Sequence, residues 1–468
     1  MPEGIAEGIG ASVRRKEDKK YTTGKGRYTD DIKRDGQLYA FFVRSNVAHA
    51  TIKKIDVSKA LTCDGVAAIY TGDDIAADGV GGPICGWVPT NRDGSAPKEP
   101  PHPLLARSKV RYVGDHIAVV IAESLEQARS AAEKITIDLD VLPPVVDLST
   151  AIGNTQIHDE MDDNIYFDWE LGDESATASA LESAAKIVEL TVTNNRVIPN
   201  AIEPRAAVAE YNETNESFTL YTTSQNPHLT RLVMAAFMLQ IPESKLHVVA
   251  PDVGGGFGSK IYIYPEEAVC TWATKKLRRP IKWTAERSEA FLGDAHGRDH
   301  VNKVKVGLDQ NNKIVGLRVD TLANLGAYLS AFSMVTPTYL HGTLLSGCYN
   351  IPAIYTNVKG VCTTTVNVDA YRGAGRPEAT YLLERTMDYA ARQVGMDPAE
   401  FRRINFIPKD AFPYQTAQAL AEDVGAGDIN ASLIAPDALA SADVITREAG
   451  VLCGKAFADE TFQQVDAR

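Results

Sequence analysis

The segment DVGGGFGSK (Asp252–Lys260) lies between a β-branched run, Leu246–Ala250, and a helix-forming stretch, Pro265–Lys276. Three successive glycines let the backbone approach an anion closely and turn its amides toward it. Ser259 stands where a Walker loop has its last glycine before Lys260, so a nucleotide P-loop is excluded. The register of the triple glycine also departs from the dinucleotide-binding fingerprint. A tight structural turn and an anion cradle both remain open, and either way the strand–loop–helix order marks an α/β unit.

Working outward, SQNPH (Ser224–His228) joins a strand, Phe218–Thr222, to an amphipathic helix, His228–Leu239. A side-chain amide there donates to an oxo or phosphate oxygen without adding charge, and a polar loop with an N-cap is the plainer alternative. DAYRGAGRPEAT (Asp369–Thr380) is a glycine-rich loop leading into a helix near Tyr381–Val394. Its Arg372 and Arg376 suit an anion or a substrate oxygen, or else are solvated surface charges. In EPRAAVAEY (Glu203–Tyr211), Glu203 and Arg205 are expected to form a structural ion pair ahead of a strand. Further strands are expected at Ile281–Trp283, Val301–Leu308 and Ile314–Ala323.

Nearer the N-terminus, strands are expected at Leu38–Val43, Val66–Tyr70, Ile117–Ile121 and Ile135–Asp140, with one helix capped by Ser124 between the last two. Gly79–His102 reads as a long loop, and VLPPVVD (Val141–Asp147) as a hinge, because paired prolines end helix and strand alike. The organisation is therefore an arm over 1–20, a small α+β domain over 21–140, a linker over 141–168 and a larger mixed α/β region over 169–416.

The length, 468 residues, exceeds one ordinary core. A hydrophobic share of 44% with 23% charge is globular composition. The net charge of -13 is dispersed, which argues against a nucleic-acid or anionic-membrane partner. The longest apolar run, Leu232–Leu239, is far shorter than the ~20 residues of a membrane span. MPEGIAEGIGASVRRKEDKK has no apolar core, so no signal peptide and a cytoplasmic location are expected. The six cysteines show no CxxC or iron–sulfur spacing and are expected to be small core residues.

With YTTGKGRYTDDI (Tyr21–Ile32), FFVRSNVAHATI (Phe41–Ile52), HPLLA, VRYVGD, SLEQARSAAE and RINFIPKDAFPYQT (Arg403–Thr416), these segments resemble the molybdopterin-binding large subunit of the xanthine dehydrogenase and aerobic carbon monoxide dehydrogenase family. The resemblance covers most of this chain and about half of a typical family subunit. It implies an a/b hammerhead domain followed by the first molybdopterin-binding domain. It places Gln225 beside molybdenum, Gly254, Gly255, Gly256, Phe257 and Gly258 against the pterin, and the loop Ala370–Arg376 at the substrate. Gln225, Phe257 and Arg372 are thereby expected as catalytic residues, and Gln225, Gly254–Gly258, Arg372, Gly373 and Ala374 as cofactor-binding ones. Members that oxidise CO aerobically carry a copper-holding cysteine where Gly373 stands here, so copper and side-chain metal ligands are not expected.

The implied chemistry is hydroxylation of CO-like, aldehyde or N-heterocyclic substrates with water as oxygen source. The implied cofactor is molybdenum–molybdopterin, in its cytosine dinucleotide form, with FAD and 2Fe-2S clusters on a medium and a small partner subunit in a dimer of heterotrimers. The family's glutamate base lies near its C-terminus, beyond any segment matched here. The alternative is a non-catalytic cofactor-binding or assembly subunit that needs a separate chain for the second half.

The character changes after Thr416. AQALAEDVGAGDINASLIAPDALASADVITREAGVLCGKAFADETFQQVD (Ala417–Asp466) resembles the start of quinolinate phosphoribosyltransferase, without that enzyme's barrel. Val444–Arg447 and Val451–Cys453 read as a hairpin. The chain is thus expected to be the first half of a large subunit joined to a foreign segment.

Overall fold

Alternating β-branched and small residues build three sheets in the computed structural model, which describes residues 11–417 apart from Asp162. The phosphoribosyltransferase-like tail, its hairpin and Cys453 lie outside the described residues. The largest sheet contains β1 (Leu38–Arg44), β3 (Val66–Thr71), β5 (His116–Ala122), β9 (Ala206–Asn212), β10 (Ser217–Thr222), β11 (Leu246–Val249) and β12 (Ile281–Thr284). Its order is β11-β10-β9-β12-β1-β5-β3. The parallel pairing of β1 with β12, Leu38 opposite Ile281, carries this one sheet from the N-terminal segment into the larger region.

A second sheet holds β7 (Ile165–Gly172), β8 (Lys186–Asn194), β13 (His300–Leu308), β14 (Ile314–Gly326) and β15 (Ile354–Cys362) in the order β7-β15-β14-β13-β8. A small third sheet joins β2 (Ala50–Asp56), β4 (Lys109–Val110) and β6 (Thr136–Val141) in the order β4-β2-β6.

Burial explains the placement. Every residue of β5, HIAVVIA, is buried, as a central strand covered on both faces requires. The helix Pro265–Leu277 is sunk in the same core, where Val269 and Ala273 meet Leu38, Ala209 and Trp283. The second sheet packs Val304, Val306 and Val319 against Leu382, Met387 and Phe401 of the helices Arg376–Gln393 and Pro398–Asn405.

Several expectations need correction. The helix expected at His228–Leu239 is α-helical only over Pro227–Val233 and then widens into a π-turn over Met234–Leu239, ended by Gln240 at φ 52°. The expected polar connector already contains the start of β7. Strands β2, β4, β8 and β15 appear in addition to those expected. Cys85, Cys270 and Cys362 are buried as expected, whereas Cys348 is exposed and Cys63 half-buried. Among the described residues no helix is long and apolar enough to cross a membrane, and no cluster of three metal-binding side chains occurs.

Candidate cofactor site

The glycine segment leaves β11 and is pinned along its length. Asp252 accepts hydrogen bonds from the Tyr21 hydroxyl at 3.1 Å and the Arg27 amide at 2.7 Å, and pairs with Lys20. Lys20 is the main reason its carboxyl lies below the usual range. Glu203 Oε2 then accepts the Gly254 amide at 2.6 Å and Lys260 Nζ at 3.0 Å. Gln225 Oε1 accepts the amides of Gly258 at 2.9 Å and Lys260 at 3.3 Å, while the Gln225 amide donates to the Lys260 carbonyl at 2.7 Å. A Cβ on Gly256 would lie 2.2 Å from Gln225 Oε1, so no larger residue fits there.

These contacts use the amides at the two ends of the loop and leave the middle. Among the described residues the N–H groups of Gly255, Gly256 and Phe257 have no acceptor, and Gln225 Nε2 has none either. Left-handed backbone at Gly255 (φ 97°), Phe257 (φ 54°) and Gly258 (φ 108°) turns successive amides into a concave nest suited to an anion. Phe257 keeps 43% of its surface exposed beside this nest.

The second loop is fastened to the first. The Arg372 amide donates to the Phe257 carbonyl at 2.8 Å, and a Cβ on Gly258 would lie 2.3 Å from the Ala370 carbonyl oxygen. Buried Asp369 anchors the loop's start by accepting the Ser330 hydroxyl and the Phe332 amide, the latter at 2.9 Å. Burial pushes its carboxyl up to about 6. Tyr262 holds the Ala370 carbonyl at 2.6 Å. Arg298 supports the loop from behind, donating to the carbonyls of Tyr371 at 3.0 Å and Arg372 at 2.9 Å and to Glu378 at 2.8 Å.

Gln225, Gly254–Gly258 and Arg372 therefore converge on one site. Gly373 and Ala374 lie on the same loop but make no hydrogen bond to the glycine segment; Gly373 faces Pro377 instead. The Arg372 side chain is exposed without a partner among the described residues, and Arg376 reaches the Ala374 carbonyl at 3.3 Å.

The expected Glu203–Arg205 pair does not form. Arg205 is 1% exposed, grips Glu266 with two bonds of 3.0 Å and Asp294 with one of 2.6 Å, and stacks 3.6 Å from the Tyr264 ring. Glu203 goes to Lys260 instead. Lys260, Tyr262, Asp369 and Arg298 were not singled out for a role in the sequence. Lys260 and Asp369 at least bound the two glycine-rich segments, whereas nothing local marks Arg298.

Residues 157–406 match the molybdopterin cofactor-binding domain, which defines the chain as a molybdopterin-binding protein. Residues 23–143 match the a/b hammerhead domain of aldehyde oxidase and xanthine dehydrogenase, and the chain belongs to that family. It is 36% identical over 435 residues to the carbon monoxide dehydrogenase large chain of Hydrogenophaga pseudoflava, covering 88% of this chain and 52% of that one. It is 30% identical to the nicotinate dehydrogenase large molybdopterin subunit of Eubacterium barkeri, covering 86% of this chain and 90% of that one. Quinoline 2-oxidoreductase from Pseudomonas putida 86 has the same fold with a TM-score of 0.81 at 32% identity, covering 88% and 52% of the two chains. The chain thus spans about half the length of the first and the third.

The residues present fit the cofactor this family binds. The unpartnered amides and the uncharged Gln225 donor match anionic oxygens, and the glycines keep side chains out of the cradle.

Proposed function

We propose that this chain is the cofactor-holding part of a molybdenum-dependent hydroxylase large subunit acting on a CO-like, aldehyde or N-heterocyclic substrate. The observation that carries this reading is the run of three acceptor-free amides, Gly255–Phe257, beside the free Gln225 Nε2. Molybdenum–molybdopterin, in its cytosine dinucleotide form, supplies two-electron oxidation with water as oxygen source when bound. The nest and Gln225 Nε2 donate to its anionic oxygens without introducing a charge that would have to be desolvated. Phe257, exposed beside the nest, would shield a bound cofactor from water, and the free Arg372 guanidinium would orient a substrate oxygen. No residue of the two loops is assigned as the base.

Copper has no place in this reading. Gly373 carries φ 98°, and a Cβ there would lie 2.6 Å from Pro377 Cγ, so the loop backbone is shaped for glycine rather than a thiol-bearing residue. An FAD-binding medium subunit and an iron–sulfur small subunit would take the electrons, in a cytoplasmic dimer of heterotrimers. The proposed division is a hammerhead domain over 21–140, a linker that ends before β7 and a cofactor domain from β7 to about 416.

A second reading has support of its own. The Eubacterium barkeri subunit is matched along 90% of its length, which supports a reading in which a separate polypeptide completes the site.

Expression from the native locus with its neighbours, followed by metal analysis and pterin fluorescence, tests both readings. Near-stoichiometric molybdenum is expected, with turnover of a CO, aldehyde and N-heterocycle panel using an artificial electron acceptor. A folded chain that never carries molybdenum, whatever co-purifies with it, contradicts the proposal.

A further inference from the structure

We propose that Glu203 is a positioning residue which, through Lys260, clasps both ends of the glycine loop and presets the Gly255–Phe257 amides before any anion arrives. This inference rests on the cofactor reading above for what the loop receives, but not for how the loop is held.

One carboxylate oxygen, Glu203 Oε2, accepts both the amide of the loop's first glycine, Gly254, at 2.6 Å and the ammonium of its last residue, Lys260, at 3.0 Å. The same ammonium reaches back to the Glu203 carbonyl at 2.8 Å. Main-chain pairing adds a third tie, from the Glu203 amide to the Gly254 carbonyl at 3.2 Å. A Cβ on Gly254 would lie 2.5 Å from Glu203 Cβ, so the clasp closes only around glycine. The Lys260 side chain is 1% exposed and that of Glu203 14%, which shields the pair from competing water. The clasp is itself anchored, because Arg205, two residues on, is locked to Glu266 and Asp294.

A purely structural pair would be expected to satisfy both carboxylate oxygens, yet Glu203 Oε1 is sealed from solvent without a donor. The geometry spends its hydrogen bonds on the loop ends. Three preset, acceptor-free amides between two fixed ends bind an anion without paying again to order the chain.

The test uses the full chain with its co-purifying subunits and three variants: Glu203→Gln, Lys260→Met and the two combined. Hydrogen–deuterium exchange is read on peptides spanning 252–262 and, as a control, on β13 and β14, alongside molybdenum retained after gel filtration. Each variant should exchange in the loop about tenfold faster, the scale set by losing one charge-assisted hydrogen bond. The β13–β14 peptides should be unchanged, and retained molybdenum should fall severalfold. The double variant leaves no unpaired buried charge, so it should melt like the parent and still show the loose loop. A double variant with parental loop exchange overturns the proposal, as does exchange raised equally throughout the chain. If the parent itself holds no molybdenum while loop order still depends on the pair, the clasp stands and the cofactor reading falls.

Discussion

Phe257 holds a left-handed backbone at φ 54°, a cost of order 1–3 kcal/mol for a non-glycine residue, at the point where the two loops meet. The contact is tightest one residue on. Gly258→Ala would impose a side chain at φ 108° and 2.3 Å from the Ala370 carbonyl. The expected outcome is separation of the loops, a stability loss of about 1–3 kcal/mol in urea titration and several-fold less retained molybdenum. Parental values on both measurements would show that the loops do not depend on each other. Arg205 offers a second case. Arg205→Met strands Asp294 and leaves buried Glu266 with only Arg44 and His116, and a loss of about 3–5 kcal/mol is expected in the same titration. A change under about 1 kcal/mol would mean that water replaces the guanidinium. The Glu203–Arg205 expectation failed for a plain reason: proximity in sequence lost to partners 57 and 61 residues away, which nothing local encodes.

Whole elements were legible where punctuation and periodicity agreed. Asp252–Lys260 shows its glycines openly, and Leu38–Val43 and Ile117–Ile121 read as strands that differ from those observed by a residue or so at their ends. The π-turn at Met234–Leu239 was not legible, because an apolar run gives the same pattern whether its turns are of α or π width. β15 was missed because Asn357 and Lys359 interrupt its apolar run, and their partners, Asp168 and Trp169 on β7, are far away in sequence. Convergence of the two loops was likewise invisible, since it depends on Arg298 reaching the second loop from another segment and on Ser330 and Phe332 holding Asp369. The loop Asp369–Thr380 supports a prediction at this scale: Gly373→Cys should leave copper far below stoichiometric after metal loading, because the backbone there disfavours a side chain. A stoichiometric copper signal would contradict it.

Across the molecule, titration is dominated by histidines. Seven of the nine, His49, His102, His116, His158, His296, His300 and His341, have their pKa lowered, chiefly by burial, and His116, His296 and His300 lie near 4. The unfolded chain takes up these protons first as pH falls below about 6.5, so their stabilisation is complete above that pH and drains away toward 4. Asp115, pushed up to about 7 by burial, and Asp369, near 6, act oppositely and lose stabilisation as pH rises through those values. Seven groups outweigh two, and the urea midpoint is expected to be clearly lower at pH 5 than at pH 7.5. A flat or reversed dependence would mean that these histidines are reached by water in the folded state.

The shared sheet has a consequence for synthesis on the ribosome. β1 must find β12, about 240 residues later in the chain. At ~5–20 residues per second, that leaves one edge of β1 open for roughly 10–50 s of translation, with only β5 and β3 available to guard its other side. The nascent chain therefore carries a sticky strand while about 240 further residues are made, and its yield in the cell should depend on holdase chaperones that cover such edges.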